Sequence, residues 1–249
     1  MPLHEVKVDA GHAPGESPED AARKARYAAL AQTALSQGLK AVLLAQHADD
    51  QAETLLLALS RGAGLPGLAA MPASFERGGM RFERPLLGVG GPAIRAWLAR
   101  AKIAFVEDPS NADVAFTRNR IRRQLLPALE QAFPQFRETF ARSARHAAQA
   151  QELLASIAAE DLAAAGNPPT LRGLQQLSRA RQANLLRHWL RTAHEAAASS
   201  AQLEELLDQV AACVTRGHDL RIKVGKGFVC RRGERLDFQL GPGFGAQLK

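Results

Sequence analysis

One short apolar run, Ala41-Val42-Leu43-Leu44-Ala45, constrains the fold more than any other segment of this sequence. Its length and composition are typical of a buried strand in a parallel sheet. Segments with helical character flank it, at residues 18–38 and at about residues 49–60. Residues 3–9 alternate apolar and polar side chains, which predicts a second strand. The resulting order of strand, helix, strand, helix predicts an α/β fold with a parallel sheet.

Local signals mark the ends of both predicted helices. Ser17 followed by Pro18 predicts a helix start, with the serine as cap and the proline at the first helical position. Arg61-Gly62 predicts the end of the second helix, because glycine can adopt the left-handed conformation there. No later segment is predicted to join these two strands, so we expect only part of a doubly wound parallel sheet, either because the domain borrows an edge or because its beginning is absent.

The sequence changes character near residue 113 and becomes mainly helical. A long Arg-rich helical pattern covers residues 119–165 and is interrupted at Phe133-Pro134-Gln135. Two more helices are predicted, at residues 176–193 and 200–214. Residues 220–240 alternate around two glycines, which predicts a β-hairpin. We therefore predict one domain at residues 1–112 and a helical domain with a terminal hairpin at residues 113–249.

Charge and composition limit the functional classes. The net charge of +7 favours polyanionic partners, of which nucleic acid is the usual one, although an Arg- and Ala-rich protein without such a partner would carry the same charge. No apolar run approaches the roughly 18 residues of a membrane span, and the first residues lack a secretory signal pattern. Cys213 and Cys230 lie far apart, as expected of thiols in a reducing cytosol.

The strongest candidate functional segment is His47-Ala48-Asp49-Asp50-Gln51-Ala52-Glu53, which follows the apolar strand and begins the next helix. Ligands in open α/β sheets bind beyond the carboxyl ends of the strands. Asp49, Asp50 and Glu53 share about one helical turn and could hold an ammonium group or a magnesium ion. Acids in a first helical turn also occur simply because they complement the helix dipole. A lone His47 would more often be a packed histidine than a catalyst.

A second candidate segment runs from Glu107-Asp108-Pro109-Ser110-Asn111 to the arginines after Thr117. The proline and the small polar residues are typical of a loop. The arginines fit a solvent-facing helix surface, but guanidinium groups are also the preferred side chains for phosphate contacts. Arg23 and Arg26 raise the same two alternatives on the first helix.

These segments occur in a fixed order along the chain. They are Ala25-Arg26-Tyr27, residues 47–54, Arg61-Gly62-Ala63-Gly64 with Gly67-Leu68, Arg84-Pro85-Leu86-Leu87, residues 107–111, and Arg118-Asn119-Arg120-Ile121-Arg122. In this order and spacing the sequence resembles the tRNA(Ile)-lysidine synthetase family of N-type ATP pyrophosphatases. The resemblance is close over about residues 3–135 and looser over residues 136–240.

The resemblance implies an adenine nucleotide α-hydrolase-like domain and a ligase reaction. In that family, ATP adenylates the C2 oxygen of the wobble cytidine in a CAU-anticodon tRNA(Ile). The side-chain amine of free lysine then attacks C2 and expels AMP. ATP with Mg²⁺, free lysine and this tRNA are therefore the expected reactants. A homodimer and a cytoplasmic location are further expectations, and no membrane partner is expected.

The resemblance also implies roles for particular residues. It makes His47, Asp49, Asp50 and Glu53 catalytic candidates, with the carboxylates near the lysine amine. Candidates for nucleotide or tRNA contacts are Arg26, Arg61, Gly62, Arg118, Asn119 and Arg122. Four arginines in the helical half are expected to form a platform for the tRNA body: Arg142, Arg145, Arg187 and Arg191.

One family feature does not occur in the 249 residues: a Ser-Gly-Gly-x-Asp-Ser loop, whose backbone amides cradle pyrophosphate. We therefore expect a truncated reading of a longer gene, or a decayed gene, and no activity from this chain as it stands. A strand at residues 42–44 that lacks a neighbour would expose backbone and apolar groups, which predicts a poorly stable chain.

Two other functions are alternatives to the ligase. A tRNA thiolase would usually carry paired cysteines near the nucleotide, and the first 212 residues contain none. A non-catalytic tRNA-binding module made of the helical half is the remaining alternative.

Overall fold

The structure of the protein is a computed structural model that describes residues 3–12, 18–106, 108, 113–215 and 218–241. The chain divides into two compact units, Met1–Ala148 and Gln149–Lys249. The division into domains at residues 112 and 113 stays a prediction. Among the described residues, no helix is both long and apolar enough to cross a membrane.

A three-stranded mixed sheet lies at the centre of the first unit. β1 (Ala41–Leu43) pairs in parallel with β3 (Met80–Glu83), and β3 pairs antiparallel with β2 (Ser74–Arg77). The parallel pair confirms the predicted α/β class. The expectation that no later segment joins this sheet was wrong, because Gly78 and Gly79 close a tight hairpin between β2 and β3. Both glycines have positive φ, 57° and 73°, as such a two-residue turn requires.

The predicted strand at residues 3–9 is not formed. Residues 3–12 contain no strand, and Leu3, Val6 and Val8 are exposed. An alternating pattern becomes a strand only where a neighbour supplies hydrogen bonds, and no described residue pairs with this segment. β1 therefore has β3 on one side and an open edge within the described residues, and Leu43 is 66% exposed. Poor stability of the chain stays a prediction.

Helices surround this sheet and carry the candidate site. They are α1 (Pro18–Ser36), α2 (Ala48–Ser60), α3 (Leu65–Leu68), α4 (Gly91–Arg100), α5 (Thr117–Arg120), α6 (Leu126–Ala132) and the start of α7 (Phe136–Ala165). Ser17, the predicted cap of α1, lies outside the described residues. The predicted end of α2 is confirmed, because Gly62 follows it with φ of 64°.

Arg84 fixes the carboxyl ends of β1 and β3, where the candidate site begins. Its buried guanidinium donates to the side chain of Gln46 after β1 and to the Pro72 carbonyl at 2.6 Å. It also lies 4.5 Å above the ring of Phe75 and donates to the Tyr27 hydroxyl at 3.4 Å. The N–H donors of this buried guanidinium therefore serve to hold the fold together.

The second unit packs helices onto an antiparallel sheet. Besides the end of α7, it contains α8 (Leu171–Gln175), α9 (Arg179–His194), α10 (Ser200–Ala212), β4 (Arg221–Val224), β5 (Gly227–Arg232) and β6 (Arg235–Leu240). Its core joins Trp189 and Leu206 of the helices to Val229 and Leu236 of the sheet. The helical pattern and the hairpin predicted from the sequence are confirmed, and the hairpin gains a third strand.

Two histidines of α9 each have one buried ring nitrogen that lacks a hydrogen-bond partner among the described residues. These atoms are Nδ1 of His188 and Nε2 of His194. The His194 ring stacks on Phe238 at 4.7 Å and meets Trp189 edge-on at 4.9 Å. Burial lowers the pKa of both histidines below the ordinary value; Arg191 lowers the pKa of His188 further, whereas Asp237 opposes the shift at His194.

Acidification is therefore expected to destabilise the second unit. The unfolded histidines take up protons near pH ~6.5 but the folded ones resist, so stability is present above that pH and falls as the pH drops below it. Urea unfolding between about pH 7.5 and 5 would be followed by Trp189 fluorescence in a Trp97→Phe chain. His194→Phe should flatten the pH dependence, and His146→Gln on α7 should not. An equally steep dependence in His194→Phe would contradict the explanation.

Candidate active site

The N-terminus of α2 is held by side chains of its own motif. His47 has extended backbone angles after β1, and its Nδ1 accepts from the Asp49 amide at 3.3 Å. The His47 amide donates to Asp50 Oδ2 at 2.9 Å, which completes a capping box. This arrangement places the motif at the carboxyl end of β1, as the sequence predicts, and uses part of His47 and Asp50 for the fold.

Asp49 is fixed from two sides. Its Oδ1 accepts from Arg137 at the start of α7, and its Oδ2 accepts from the Gly91 amide of α4 at 3.0 Å. A Cβ atom at position 91 would lie 2.4 Å from Asp49 Oδ2, so this close approach requires glycine. Arg137 also donates to Glu130 of α6. Asp49 thus joins three helices and has a donor on each carboxylate oxygen.

Glu53 is the most deeply buried acid of the site, with a fully buried side chain. Arg122 binds it with both arms: Nε lies 2.7 Å from Oε1, and Nη2 lies 3.1 Å from Oε2. The same Nη2 reaches Asp50 Oδ1 at 3.3 Å. Arg118 Nη1 lies 3.9 Å from Glu53 Oε2, and its Nε lies 3.8 Å from Glu19 of α1. Two carboxylates of α2 and two arginines therefore face each other here.

Burial and charge act in opposite directions on Glu53. Burial raises the pKa of its carboxyl, whereas the hydrogen bonds and charge of Arg122 lower it, and burial has the larger effect. Arg122 keeps its proton, because binding to Glu53 and the nearby acids raises its pKa against the effect of its own burial. Glu53 is consequently a better proton acceptor than an exposed glutamate.

A π-helical turn, Ile121–Leu125, aims Arg122 at α2. Pro127 has no amide hydrogen to donate to the preceding turn, and the Leu126 amide reaches back to the Ile121 carbonyl instead. The wide turn buries Ile121 with Ala52 on one side and leaves Arg122 beside the carboxylates. Single π turns of this kind are frequent at functional sites.

A cavity of about 860 Å³ adjoins these residues within the first unit. Its polar side chains include His47, Asp49, Arg95, Arg122, Arg123 and Arg137, and its apolar wall includes Ile94, Leu98, Phe105 and Val106. An apolar wall beside a few convergent charged groups suits an organic ligand with charged ends. Among the described residues, no group of three or more His, Cys, Asp or Glu side chains could hold a metal ion.

The structure brings together six of the residues predicted from the sequence: His47, Asp49, Asp50, Glu53, Arg118 and Arg122. Asn119 is buried beside them, and its amide donates to the Asp113 carbonyl at 2.8 Å. Arg26 is exposed on α1 and makes no described contact with the acids. Arg61 and Gly62 lie at the other end of α2, about 20 Å away. Glu107 and residues 109–111 lie outside the described residues.

Sequence reasoning missed Arg137, Gly91 and Glu130. Arg137 lies 88 positions from Asp49, and Gly91 lies 42 positions from it. No local spacing signals such a contact. The break at Phe133-Pro134-Gln135 marks the start of α7, but it does not indicate which side chain turns toward α2.

Comparisons with known proteins show the family of this chain. A family model for the PP-loop domain matches residues 1–129, and one for the TilS substrate binding domain matches residues 170–236. A tRNA(Ile)-lysidine synthase of Polaromonas naphthalenivorans is 65% identical over 236 residues, which is 95% of this chain and 72% of that protein. The chain belongs to the tRNA(Ile)-lysidine synthase family.

Other members of the tRNA(Ile)-lysidine synthase family match over different shares of their length. That of Pseudomonas aeruginosa is 47% identical over 203 residues, 76% of this chain and 45% of its own length. That of Bordetella pertussis is 40% identical over 245 residues, 94% of this chain and 76% of its own length. Membership of this enzyme family confirms the resemblance inferred from the sequence. The assignment of individual site residues stays a prediction.

Replacing Arg122 by alanine is expected to destabilise the first unit by about 1–3 kcal/mol, because the buried Glu53 carboxylate loses its two-armed partner. The double variant Arg122→Ala/Glu53→Leu should recover part of this loss, since it no longer buries an unpaired charge. Arg145→Ala on the exposed surface of α7 removes the same charge and serves as control. Urea unfolding followed by circular dichroism measures the effect, and an Arg122→Ala midpoint equal to that of the control would contradict it.

Proposed function

We propose that the protein ligates lysine to the wobble cytidine of a CAU-anticodon tRNA(Ile) at the expense of ATP. The observation that carries this proposal is the buried Glu53, bound by Arg122 beside Asp50, at the carboxyl end of a parallel strand in a chain of this family. The first unit would hold the chemistry, and the second would hold tRNA.

The reaction needs separate places for negative and positive charge. The cytidine C2 oxygen attacks the α-phosphorus of ATP and pyrophosphate leaves. The lysine side-chain amine then forms a bond to C2, the bond from C2 to oxygen breaks, and AMP departs. The ammonium group of the arriving lysine must lose a proton before or during this attack. Carboxylates suit the ammonium group, and guanidinium groups suit the phosphates.

The ion pairs of the site support a division of labour among the acids. Both oxygens of Asp49 already have donors, so we assign it to positioning. Asp50 and Glu53 would receive the lysine ammonium, and Glu53 or His47 would take its proton. Arg118 and Arg122 retain 44% and 38% of their side-chain exposure, so they can turn from Glu53 to the nucleotide phosphates. Such an exchange would free the carboxylate when ATP binds.

Other parts of the proposal rest on motif order and family membership. Arg26, Arg61, Gly62 and Asn119 are proposed to contact nucleotide or tRNA. Magnesium would arrive bound to ATP. Residues 1–112 and 113–249 would be the ATP-pyrophosphatase and tRNA-recognition domains. A homodimer and a cytoplasmic location complete the proposal.

Incorporation of radiolabelled lysine into a CAU-anticodon tRNA(Ile) transcript tests the reaction. Glu53→Gln keeps the shape but removes the charge and the proton acceptor, so labelling should fall by at least about 100-fold. Asp208→Asn on α10 removes an exposed carboxylate and should leave labelling unchanged. Full labelling by Glu53→Gln would exclude the proposed role of this residue.

The Polaromonas naphthalenivorans relative serves as positive control in the same assay. We predict that these 249 residues alone do not turn over ATP. In that case the relative would incorporate labelled lysine into tRNA and this chain would not. Glu53→Gln would then be tested at the aligned position of the relative. Tight tRNA binding by this chain without any effect of ATP would favour the alternative, a non-catalytic tRNA-binding module.

A further inference from the structure

The sheet of the second unit has two chemically different faces. Residues opposite each other in paired strands share a face, so the pairing register assigns each side chain. The row Ile222, Val229 and Phe238 faces the apolar core, together with Leu236. The outer face carries the remaining rows: Arg221, Cys230 and Asp237; Lys223, Phe228 and Gln239; and the pair Arg232 and Arg235.

The outer face is strongly basic. It carries four exposed cations, Arg221, Lys223, Arg232 and Arg235, against one acid, Asp237. The Asp237 carboxylate lies 3.8 Å from Arg232 and accepts from Gln239 at 3.3 Å. Within the described part of the chain, the other three cations have no ion pair. Most of this positive charge therefore remains available to an anionic partner.

An aromatic ring lies among these cations. The Arg221 guanidinium is 4.0 Å from the centroid of the Phe228 ring, and Phe228 stands between Lys223 and Gln239 in its row. Stacking restrains the guanidinium at the surface while its N–H groups stay exposed to solvent. Basic side chains around an aromatic ring on a sheet face are an arrangement that binds RNA.

Arg231 provides a comparison in the same sheet, because its guanidinium hydrogen-bonds to the protein backbone. It lies on the inner face, and its guanidinium donates to the carbonyls of Thr215, His218 and Gly233 at 2.7–3.0 Å. Within the residues that the structure describes, the outer arginines have no such set of backbone acceptors. Arginines of the two faces therefore serve different purposes.

We propose that the outer face of β4, β5 and β6 binds the phosphate backbone of tRNA through Arg221, Lys223, Arg232 and Arg235. The proposal rests on the proposed function, which makes tRNA the substrate, and adds the surface that receives it. Phosphate contacts position a nucleic acid without reading its sequence, so this face would orient the tRNA rather than select it. Selection of the anticodon would remain with the first unit.

Binding of a fluorescent CAU-anticodon tRNA(Ile) transcript to the full chain, measured by anisotropy at about 50–200 mM salt, tests this surface. The pairs Arg221→Ala/Lys223→Ala and Arg232→Ala/Arg235→Ala should each weaken binding about 10-fold and lower the salt slope by roughly two. Arg187→Ala/Arg191→Ala removes the same charge from exposed positions of α9 and tests the competing helical platform. The matched control is Lys40→Ala/Arg100→Ala, which removes two exposed positive charges from the first unit. It should weaken binding less than about 3-fold.

Each result bears on a different claim. Sheet variants that bind with the affinity and salt slope of the parent would overturn the surface and leave the proposed function standing. A larger loss in the α9 pair than in the sheet pairs would also overturn it, in favour of the helical platform. A parent chain that does not bind tRNA would refute both the surface and the tRNA-directed function.

Two further variants separate charge from folding. Arg221→Lys/Lys223→Arg keeps the charge and should bind within about 3-fold of the parent, which a misfolded unit would not do. Phe228→Leu removes the ring and should weaken binding without changing the salt slope, because no charge is lost. The Trp189 fluorescence of each variant reports whether the second unit is folded.

Discussion

The site depends on one buried ion pair, that between Glu53 and Arg122. A fully buried carboxylate is tolerated only with a partner of matching geometry, and the two-armed guanidinium supplies it. Because Arg122 comes from the π-helical turn before α6, this pair fixes α2 against a segment about 70 residues further along the chain. Asp50 and Arg118 adjoin this pair, since Asp50 accepts from Arg122 and Arg118 lies 3.9 Å from Glu53. Removing either partner would therefore disturb the whole constellation rather than one contact.

The acids at the start of α2 show that capping and chemistry are not exclusive alternatives. Asp50 uses Oδ2 for the capping box and turns Oδ1 toward Arg122. His47 offers Nδ1 to the helix start, while its Nε2 lies 3.6 Å from Asp50 Oδ2. Asp49 is different, because Arg137 and the Gly91 amide occupy both of its oxygens. The two neighbouring aspartates thus differ in what they can still bind, which spacing alone cannot distinguish.

The sequence predicted what local patterns determine. The apolar run predicted β1, the motif after it predicted the start of α2, and Gly62 predicted the end of α2. The β2–β3 hairpin was missed, because no pattern within its two four-residue strands shows that they pair. The strand at residues 3–9 failed for a related reason, since alternation does not reveal whether a partner strand exists. Arg137 could not be predicted either, because its contact with Asp49 depends on how three helices pack.

Arginine is abundant in this chain, and the number of acceptors around each guanidinium separates its roles. Arg84 and Arg231 are enclosed by carbonyls and hold strands and turns. Arg122 and Arg137 are matched with carboxylates at the edge of a cavity, where an incoming anion can compete for them. Arg221 and Arg235 face solvent, and no carboxylate of the described residues pairs with them, so they are open to a polyanion. A positive net charge alone predicts nucleic-acid binding without a location; the distribution of acceptors supplies one.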